Sequence, residues 1–259
     1  MTIAPSMIVP TWPAAIEHIG ALSTQRAGGF SAAPYAAADG SGGLNLAQHV
    51  GDDAVAVERN RAALRGYLPA PPQWLNQVHG DAVFSVRDGR SSPGAAAPCA
   101  DASIATDTGA VCAILTADCL PVLFCDPRGR FVGAAHAGWR GLAAGVLQNT
   151  VGAMRNAGAD EIWAWLGPAI GPQCFEVGED VRAAFIDRHP QAASAFIGHV
   201  SHPGKYFADL YALARLVLHC VGVGSVTGGD QCTVTQSNDY FSFRRDQRCG
   251  RMASLIWLR

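Results

Sequence analysis

His79, Cys119 and His136 are the residues of this chain whose types could do chemistry together. Two imidazoles and a thiolate are good zinc ligands. Three protein ligands leave the fourth tetrahedral position open, the arrangement of a catalytic site rather than a structural one. His79 ends a short apolar run begun at Trp74 and precedes Gly80. Cys119 stands between Asp118 and Leu120-Pro121, and His136 closes an apolar run before Gly138. Strand ends hold a side chain rigidly while leaving it accessible. The spacing is too long and irregular for a zinc finger or ribbon. Spacing alone leaves a second reading open, in which these are two core histidines and one inert buried thiol.

Polar neighbours extend the candidate site. Gln77 and Asp118 adjoin the three residues and could orient them or touch a substrate, or could merely cap a strand end. His136 and Arg140 precede a helix start expected at Gly141, where unpaired backbone N–H groups favour an anion. A phosphate held between that helix end, Arg140 and a metal is physically sensible; a surface salt bridge is the other reading of Arg140. Asn45, between Leu44 and Leu46, is either a turn-former or a substrate-binding residue.

The elements that must position these residues are short apolar runs bounded by Gly and Pro, which suit strands buried on both faces. Residues 112–141 carry two of them, joined by a turn at Asp126-Pro127-Arg128-Gly129. Further strands are expected around residues 16–19, at 74–79 and 82–86, at 162–166, at 232–234, at 240–246 and at 252–258. Asp52 and Asp53 open a helix whose apolar spacing runs Ala54, Val57, Leu64, Leu68 until Pro69. Residues 141–156 form a second helix, with Leu142, Val146, Leu147, Val151 and Met154 inward and Gly158 at its end. Others run through Val181 and Phe185 and over residues 209–221. Residues 24–31 read as a Gly-containing loop, residues 31–43 as a Gly-rich loop without fixed conformation, and residues 88–98 as a Gly/Ser/Pro/Ala loop. Strands and helices interleave without a dividing linker, so one domain over residues 1–259 is expected.

Composition narrows the function classes. At 259 residues and 49% hydrophobic, the chain can bury a substantial core. A formal net charge of −2 with no basic cluster disfavours nucleic acid as a partner. No run approaches a membrane span and the N-terminus lacks a signal-peptide pattern. The 8 cysteines are scattered without a CxxC pair, the pattern of reduced thiols in a cytoplasmic protein. The sequence names no protein partner.

The motifs Asn76-Gln77-Val78-His79-Gly80, Thr116-Ala117-Asp118-Cys119-Leu120-Pro121 and Ala135-His136-Ala137-Gly138-Trp139-Arg140-Gly141 together resemble the YfiH-type laccase-domain family. So do His49-Val50-Gly51-Asp52, residues 166–172, Phe175-Glu176-Val177-Gly178, residues 240–246 and Gly250-Arg251-Met252-Ala253. They run in family order from about residue 24 to the C-terminus; residues 32–43 look longer than usual for the family. Its members have been called polyphenol oxidases and, more recently, purine nucleoside phosphorylases. The resemblance implies an α+β domain of layered mixed sheets flanked by helices, a four-layer α/β/β/α sandwich. It implies zinc ligation by His79, Cys119 and His136. It also implies phosphorolysis of adenosine, inosine, guanosine and methylthioadenosine, with adenosine deamination alongside.

Other readings compete. Copper-dependent phenol oxidation follows from the older family name, and a two-His, one-Cys site can resemble a blue-copper centre. Oxidase copper clusters commonly use His-x-His pairs, and none of the 8 histidines forms one. A cysteine hydrolase would use Cys119 as nucleophile and His136 as base, with Asp118 nearby. That chemistry is compatible with the editing of peptidoglycan precursors attached to the family. Zinc and nucleophile roles for Cys119 exclude each other, since a coordinated thiolate is not free to attack. A binding protein with a merely structural metal is the remaining reading.

Overall fold

Alternating inward residues of a few apolar strands hold this protein together. The computed structural model describes residues 4–86 and 96–259. In chain order its elements are β1 (Met7–Ile8), β2 (Ile19–Thr24), β3 (Ala27–Ser31), α1 (Ala54–Arg65), β4 (Val83–Val86), β5 (Ala102–Ala105), β6 (Val111–Thr116), β7 (Leu120–Cys125), β8 (Val132–Ala137), α2 (Trp139–Ala144) and α3 (Val146–Ala157). There follow β9 (Trp163–Leu166), β10 (Glu176–Gly178), α4 (Glu179–Ile186), a 3₁₀ turn (Pro190–Ala195), β11 (Phe196–Gly198), β12 (Lys205–Ala208), α5 (Leu210–Cys220), β13 (Ser225–Gly228), α6 (Phe243–Asp246) and β14 (Met252–Leu258).

The strands build a six-stranded sheet in the order β13-β9-β7-β8-β5-β4, a four-stranded sheet β1-β2-β14-β6 and a three-stranded sheet β10-β12-β11. The pairs β4–β5 and β9–β13 are parallel. In β7, Val122 and Phe124 face α2, α3, α4 and α5, whereas Leu123 and Cys125 pack against Cys112, Ile114 and Ile256 of the four-stranded sheet. The other face of that sheet, with Val111, Ala113, Leu115 and Leu255, is covered by Leu44, Leu46 and Leu64 of the α1 layer. Every residue of β6, β7, β8 and β14 is therefore buried. Strands covered on both faces read as continuous apolar runs instead of alternating ones. The result is the expected mixed, layered sandwich, helices–sheet–sheet–helix. Truncating a side chain such as Phe124 at its centre costs about 3–5 kcal/mol.

Local differences from the sequence reading have identifiable causes. The expected helix over 141–156 starts earlier, at Trp139, and is cut in two by Gly145, whose φ of 117° is a left-handed conformation open to glycine. The expected strand at 240–246 is a turn into α6, because Ser242 accepts the N–H of Arg245 as an N-cap. Residues 232–234 form a turn with one bridge, Ala169 to Cys232, and residues 74–79 make only the bridge Asn76–Cys99, with Gln73–Cys112 just before them. The expected strand at residues 16–19 begins only at Ile19, the first residue of β2, and residues 27–31, expected as loop, are β3. α1 ends at Arg65 with Gly66 as its cap, short of Pro69.

The segment 32–43, expected without fixed conformation, is pinned. Tyr35 donates to the Val50 carbonyl, Arg26 donates to the Ala36 carbonyl, and Gly43 bridges Ala27 and Ser31. Of the expected 88–98 loop, residues 88–95 lie outside the described residues. Among the described residues, no helix is long and apolar enough to cross a membrane.

Candidate active site

Three segments at or near strand ends deliver the sequence-predicted residues to one place. His136 is on β8 itself. Cys119 ends the connection from β6 to β7, and His79 sits in the bridge-bound segment before β4. The ligand-type atoms of His79, Cys119 and His136 all lie within 4.8 Å of one another. Cys119 Sγ is 3.8 Å from His79 Nε2, and the two imidazoles meet edge to face with centroids 4.8 Å apart. Tetrahedral zinc with bonds of about 2.0–2.3 Å holds its ligand atoms about 3.5 Å apart, so this donor set and spacing fit one ion.

Asp101, which the sequence reading passed over, organises the group. It is fully buried. Its Oδ2 accepts the N–H groups of Val78 (3.0 Å) and Gly80 (2.7 Å), and its Oδ1 accepts that of His79 (2.9 Å). The same Oδ1 lies 2.8 Å from His136 Nδ1. Burial alone would push the Asp101 carboxyl up, but hydrogen bonds from His136, Gly80 and Val78 hold it below the ordinary carboxylate range. An ionised acceptor at Nδ1 places the ring proton there and leaves His136 Nε2 free to ligate.

Two non-glycine residues here adopt left-handed backbone, His79 at φ 61° and Asp118 at φ 87°. Such conformations persist where the surroundings over-determine them, and they concentrate at functional sites. Asp101 fixes His79. Asp118 is fixed by its own carboxylate, which accepts the Thr233 hydroxyl at 2.5 Å and the Arg244 N–H at 2.6 Å, while its carbonyl accepts the Ile170 N–H. Gly138 closes the approach from β8. A Cβ there would lie 3.0 Å from Cys119 Sγ and 3.1 Å from His79 Cδ2.

Charges inside the cluster favour an ionised sulfur. Burial raises the Cys119 thiol, yet the neighbouring His136 and His79 outweigh it and bring the thiol down to about 6. His136 moves the other way, to about 9. Burial opposes its protonation, and Cys119 and Asp101 overcome that. A thiolate is what both a metal ligand and a nucleophile require.

The cluster lines a cavity of about 340 Å³, whose other walls include Asn76, Gln77, His49, Phe243 and Arg251. Arg251 is anchored through carbonyls of Cys249 and Gly250, and it lies near the Phe243 ring. Desolvation, then Arg251 and Arg61, keep the His49 imidazole below its ordinary pKa. Phe243 is half exposed.

Several expected roles change. Gln77 lines the cavity, but its amide is engaged with the backbone of Leu115 in both directions, at 2.9 and 2.8 Å, so it ties the His79 segment to β6. Asn45 is fully buried and bonded to Ala47, Asp52 and Arg251, which makes it a turn-former out of a substrate's reach. Asp118 spends both carboxylate oxygens on the backbone and Thr233 of the adjoining wall, so it positions Cys119 and is not free for proton transfer. Arg140 falls within the first turn of α2, exposed, stacked over Trp139 at 4.5 Å and away from the cavity lining. The fixed positive charge in the cavity belongs to Arg251.

A second group, Glu176, His199 and His202, also brings three ligand-type atoms together. There the Ser201 N–H donates to His199 Nδ1 at 3.1 Å, which puts the neutral ring's proton on Nε2, facing Glu176 at 3.5 Å. In that trio Glu176 lies 3.5 and 3.6 Å from two stacked imidazoles.

Residues 20–259 match the family described as multi-copper polyphenol oxidoreductase laccase. The chain is 49% identical over 254 residues to the purine nucleoside phosphorylase YfiH of Escherichia coli (strain K12), covering 97% of this chain and 98% of the relative. It is 48% identical over 251 residues to the purine nucleoside phosphorylase PA4543 of Pseudomonas aeruginosa, covering 97% and 98%. The crystal structure of Neisseria meningitidis protein NMB0706 superposes with a TM-score of 0.88 at 47% identity, covering 98% of this chain and 99% of that one. That of Bacillus licheniformis YfiH gives 0.86 at 31% identity, covering 100% and 98%. With His79, Cys119 and His136 gathered at the cavity wall and nearly the full length matched, the chain belongs to the YfiH-type laccase-domain family.

Proposed function

We propose that this chain is a zinc-dependent purine nucleoside phosphorylase. It takes adenosine, inosine, guanosine and methylthioadenosine with phosphate to free base and the ribose 1-phosphate, and deaminates adenosine in the same cavity. The observation that carries the reading is the convergence of His79, Cys119 and His136 on the wall of a 340 Å³ cavity that also holds Arg251. The relatives' names support the substrate class.

His79 Nε2, Cys119 Sγ and His136 Nε2 would hold the ion, which when bound supplies Lewis-acid polarisation. The remaining steps belong to the chain. Asp101 keeps the His136 proton on Nδ1. Arg251 and His49 seat the phosphate, and positioning it against the ribose C1′ is where much of the acceleration arises. The half-exposed Phe243 ring offers a face for the purine, and Asn76 an amide for polar groups of the nucleoside. As phosphate oxygen bonds to C1′, the C1′–N9 bond breaks and its electron pair leaves with the base.

The test is purified protein, its metal quantified, incubated with adenosine with and without phosphate, and the products resolved by chromatography. Adenine plus ribose 1-phosphate formed only with phosphate, on about one zinc per chain, supports the reading. Copper in place of zinc overturns the choice of metal, and inosine as the sole product leaves only the deaminase part standing.

One observation favours a second reading. Asp101, His136 and Cys119 line up as acid, imidazole and thiolate, the array of a cysteine hydrolase. It would apply to a metal-free enzyme acting on a different substrate, such as a peptidoglycan precursor.

A further inference from the structure

Away from the cavity described above, the turn after β9 brings two more cysteines together. Ala169 bridges to Cys232, and the Thr233 N–H donates to the Ala169 carbonyl. Two residues along the turn, the Gly171 N–H donates to Cys232 Sγ at 3.3 Å. That approach needs glycine, since a Cβ at Gly171 would lie 3.0 Å from both Cβ and Sγ of Cys232. The Gly171 carbonyl accepts the Cys174 N–H at 3.0 Å, which turns the chain back and sets Cys174 beside Cys232, close enough for the two thiols to influence each other. The backbone N–H groups of Val234 and Thr235 and the Thr235 hydroxyl also point at Cys232.

This is a concave nest of donors around one sulfur, a surrounding that stabilises the thiolate. Although burial works against ionisation, the nest lowers the Cys232 thiol, whereas burial and the Cys232 charge raise its neighbour Cys174. The two roles of a redox pair are thus separated, one sulfur ready to attack and the other holding its proton until needed. Cys232 lines an open groove with Gly171, Pro172, Asp230 and Arg215, so a small reagent can reach it, and both thiols are partly exposed. By contrast Cys112 and Cys249 are buried, with thiols raised to about 12 and about 11.

We propose that Cys232 and Cys174 are a redox-active dithiol that closes reversibly to an intramolecular disulfide by exchange with a low-molecular-weight disulfide. The Cys232 thiolate attacks one sulfur of the small disulfide, forming a mixed disulfide and expelling one thiolate. Cys174 gives up its proton to solvent, and its sulfur attacks Cys232 Sγ, expelling the second thiolate. The protein loses two electrons and two protons overall, and the small disulfide becomes two thiols. The bond would tie residues 171–174 to the segment whose Thr233 braces Asp118, the residue preceding Cys119. It therefore stiffens the wall behind the candidate metal group without touching it.

The experiment equilibrates the purified, metal-loaded protein in buffers of graded oxidised-to-reduced glutathione ratio, traps free thiols by alkylation, and maps the peptides by mass spectrometry. The expected result is one cross-link, Cys174 to Cys232, appearing as the ratio rises and lost on adding dithiothreitol. In Cys174→Ser the expected product is a stable glutathione adduct on Cys232. If that variant does not fold, the wild-type map still decides. Persistence of both free thiols in fully oxidised glutathione, a cross-link between other cysteines, or a lasting glutathione adduct on wild-type Cys232 would each overturn the proposal.

Discussion

Asp101 Oδ1 lies 2.8 Å from Nδ1 of His136, and the same carboxylate receives the backbone N–H groups of Val78, His79 and Gly80. One buried acid thus sets the ring of one candidate ligand and the backbone of another. Asp101→Asn keeps the size and presents an amide, which can no longer accept from all four donors. Partners of this kind are worth about 10–100-fold in metal affinity. Competition against a chelator should show zinc binding weakened by that factor, with the fold retained. Asp101→Ala, which strands several buried donors, should lower unfolding free energy by about 3–5 kcal/mol in urea titration. Unchanged zinc affinity in a folded Asp101→Asn protein would remove Asp101 from the site.

His79 pays for its place in left-handed backbone at φ 61°. Glycine adopts that conformation freely, whereas alanine carries a cost of about 1 kcal/mol. His79→Gly should therefore be more stable than His79→Ala by about 1 kcal/mol, the reverse of the order at an ordinary position. Both variants should lose bound metal and turnover alike. Urea denaturation of the two metal-free proteins checks the order, and metal analysis checks the ligand role.

The phosphate seat separates two arginines. Arg251 lines the cavity, and Arg140 lies outside its lining on the exposed start of α2. Arg251→Ala should raise the KM for phosphate at least about tenfold, since a charge-assisted hydrogen bond is worth about 1.5–3 kcal/mol. Arg140→Ala should leave it within about twofold. Initial rates across a phosphate series decide this, and a large effect at Arg140 with none at Arg251 would return the anion to the start of α2.

These cases show which parts of the site the sequence could display. His79, Cys119 and His136 were legible because polar residues at the ends of apolar runs stand out, and the double-sided burial of β6, β7 and β8 was legible as unbroken apolar stretches. Asp101 was not legible as a partner of His136. Thirty-five positions separate them, and only the antiparallel register of β5 against β8, which pairs Ala102 with Ala135, brings them together. Arg251 was visible inside a family motif but carried no sign of its target, because the cavity is assembled from segments spread between residues 49 and 251. Arg140 misled because a helix start was placed two residues late and the Gly145 break was missed. Asn45 and Asp118 look like site residues for the same reason that they are structural: a buried polar side chain must find partners, and here the partners are backbone groups.

The state of Cys119 separates the metal reading from the nucleophile reading. In protein stripped of metal, the neighbouring His136 and His79 hold its thiol near 6, below the ordinary value of 9.0. Between those values the folded protein carries a thiolate where an unfolded chain carries a thiol. Iodoacetamide should then modify Cys119 at a rate nearly flat from pH 9 down to about pH 7, falling as pH drops through about 6. His136→Ala removes the largest favourable influence on the thiolate, and its profile should move to higher pH. Reloading zinc should suppress the modification at every pH, because the coordinated sulfur is no longer free to attack. Rapid alkylation that zinc does not slow, followed through the Cys119 peptide by mass spectrometry, would instead identify a free nucleophile and favour the hydrolase.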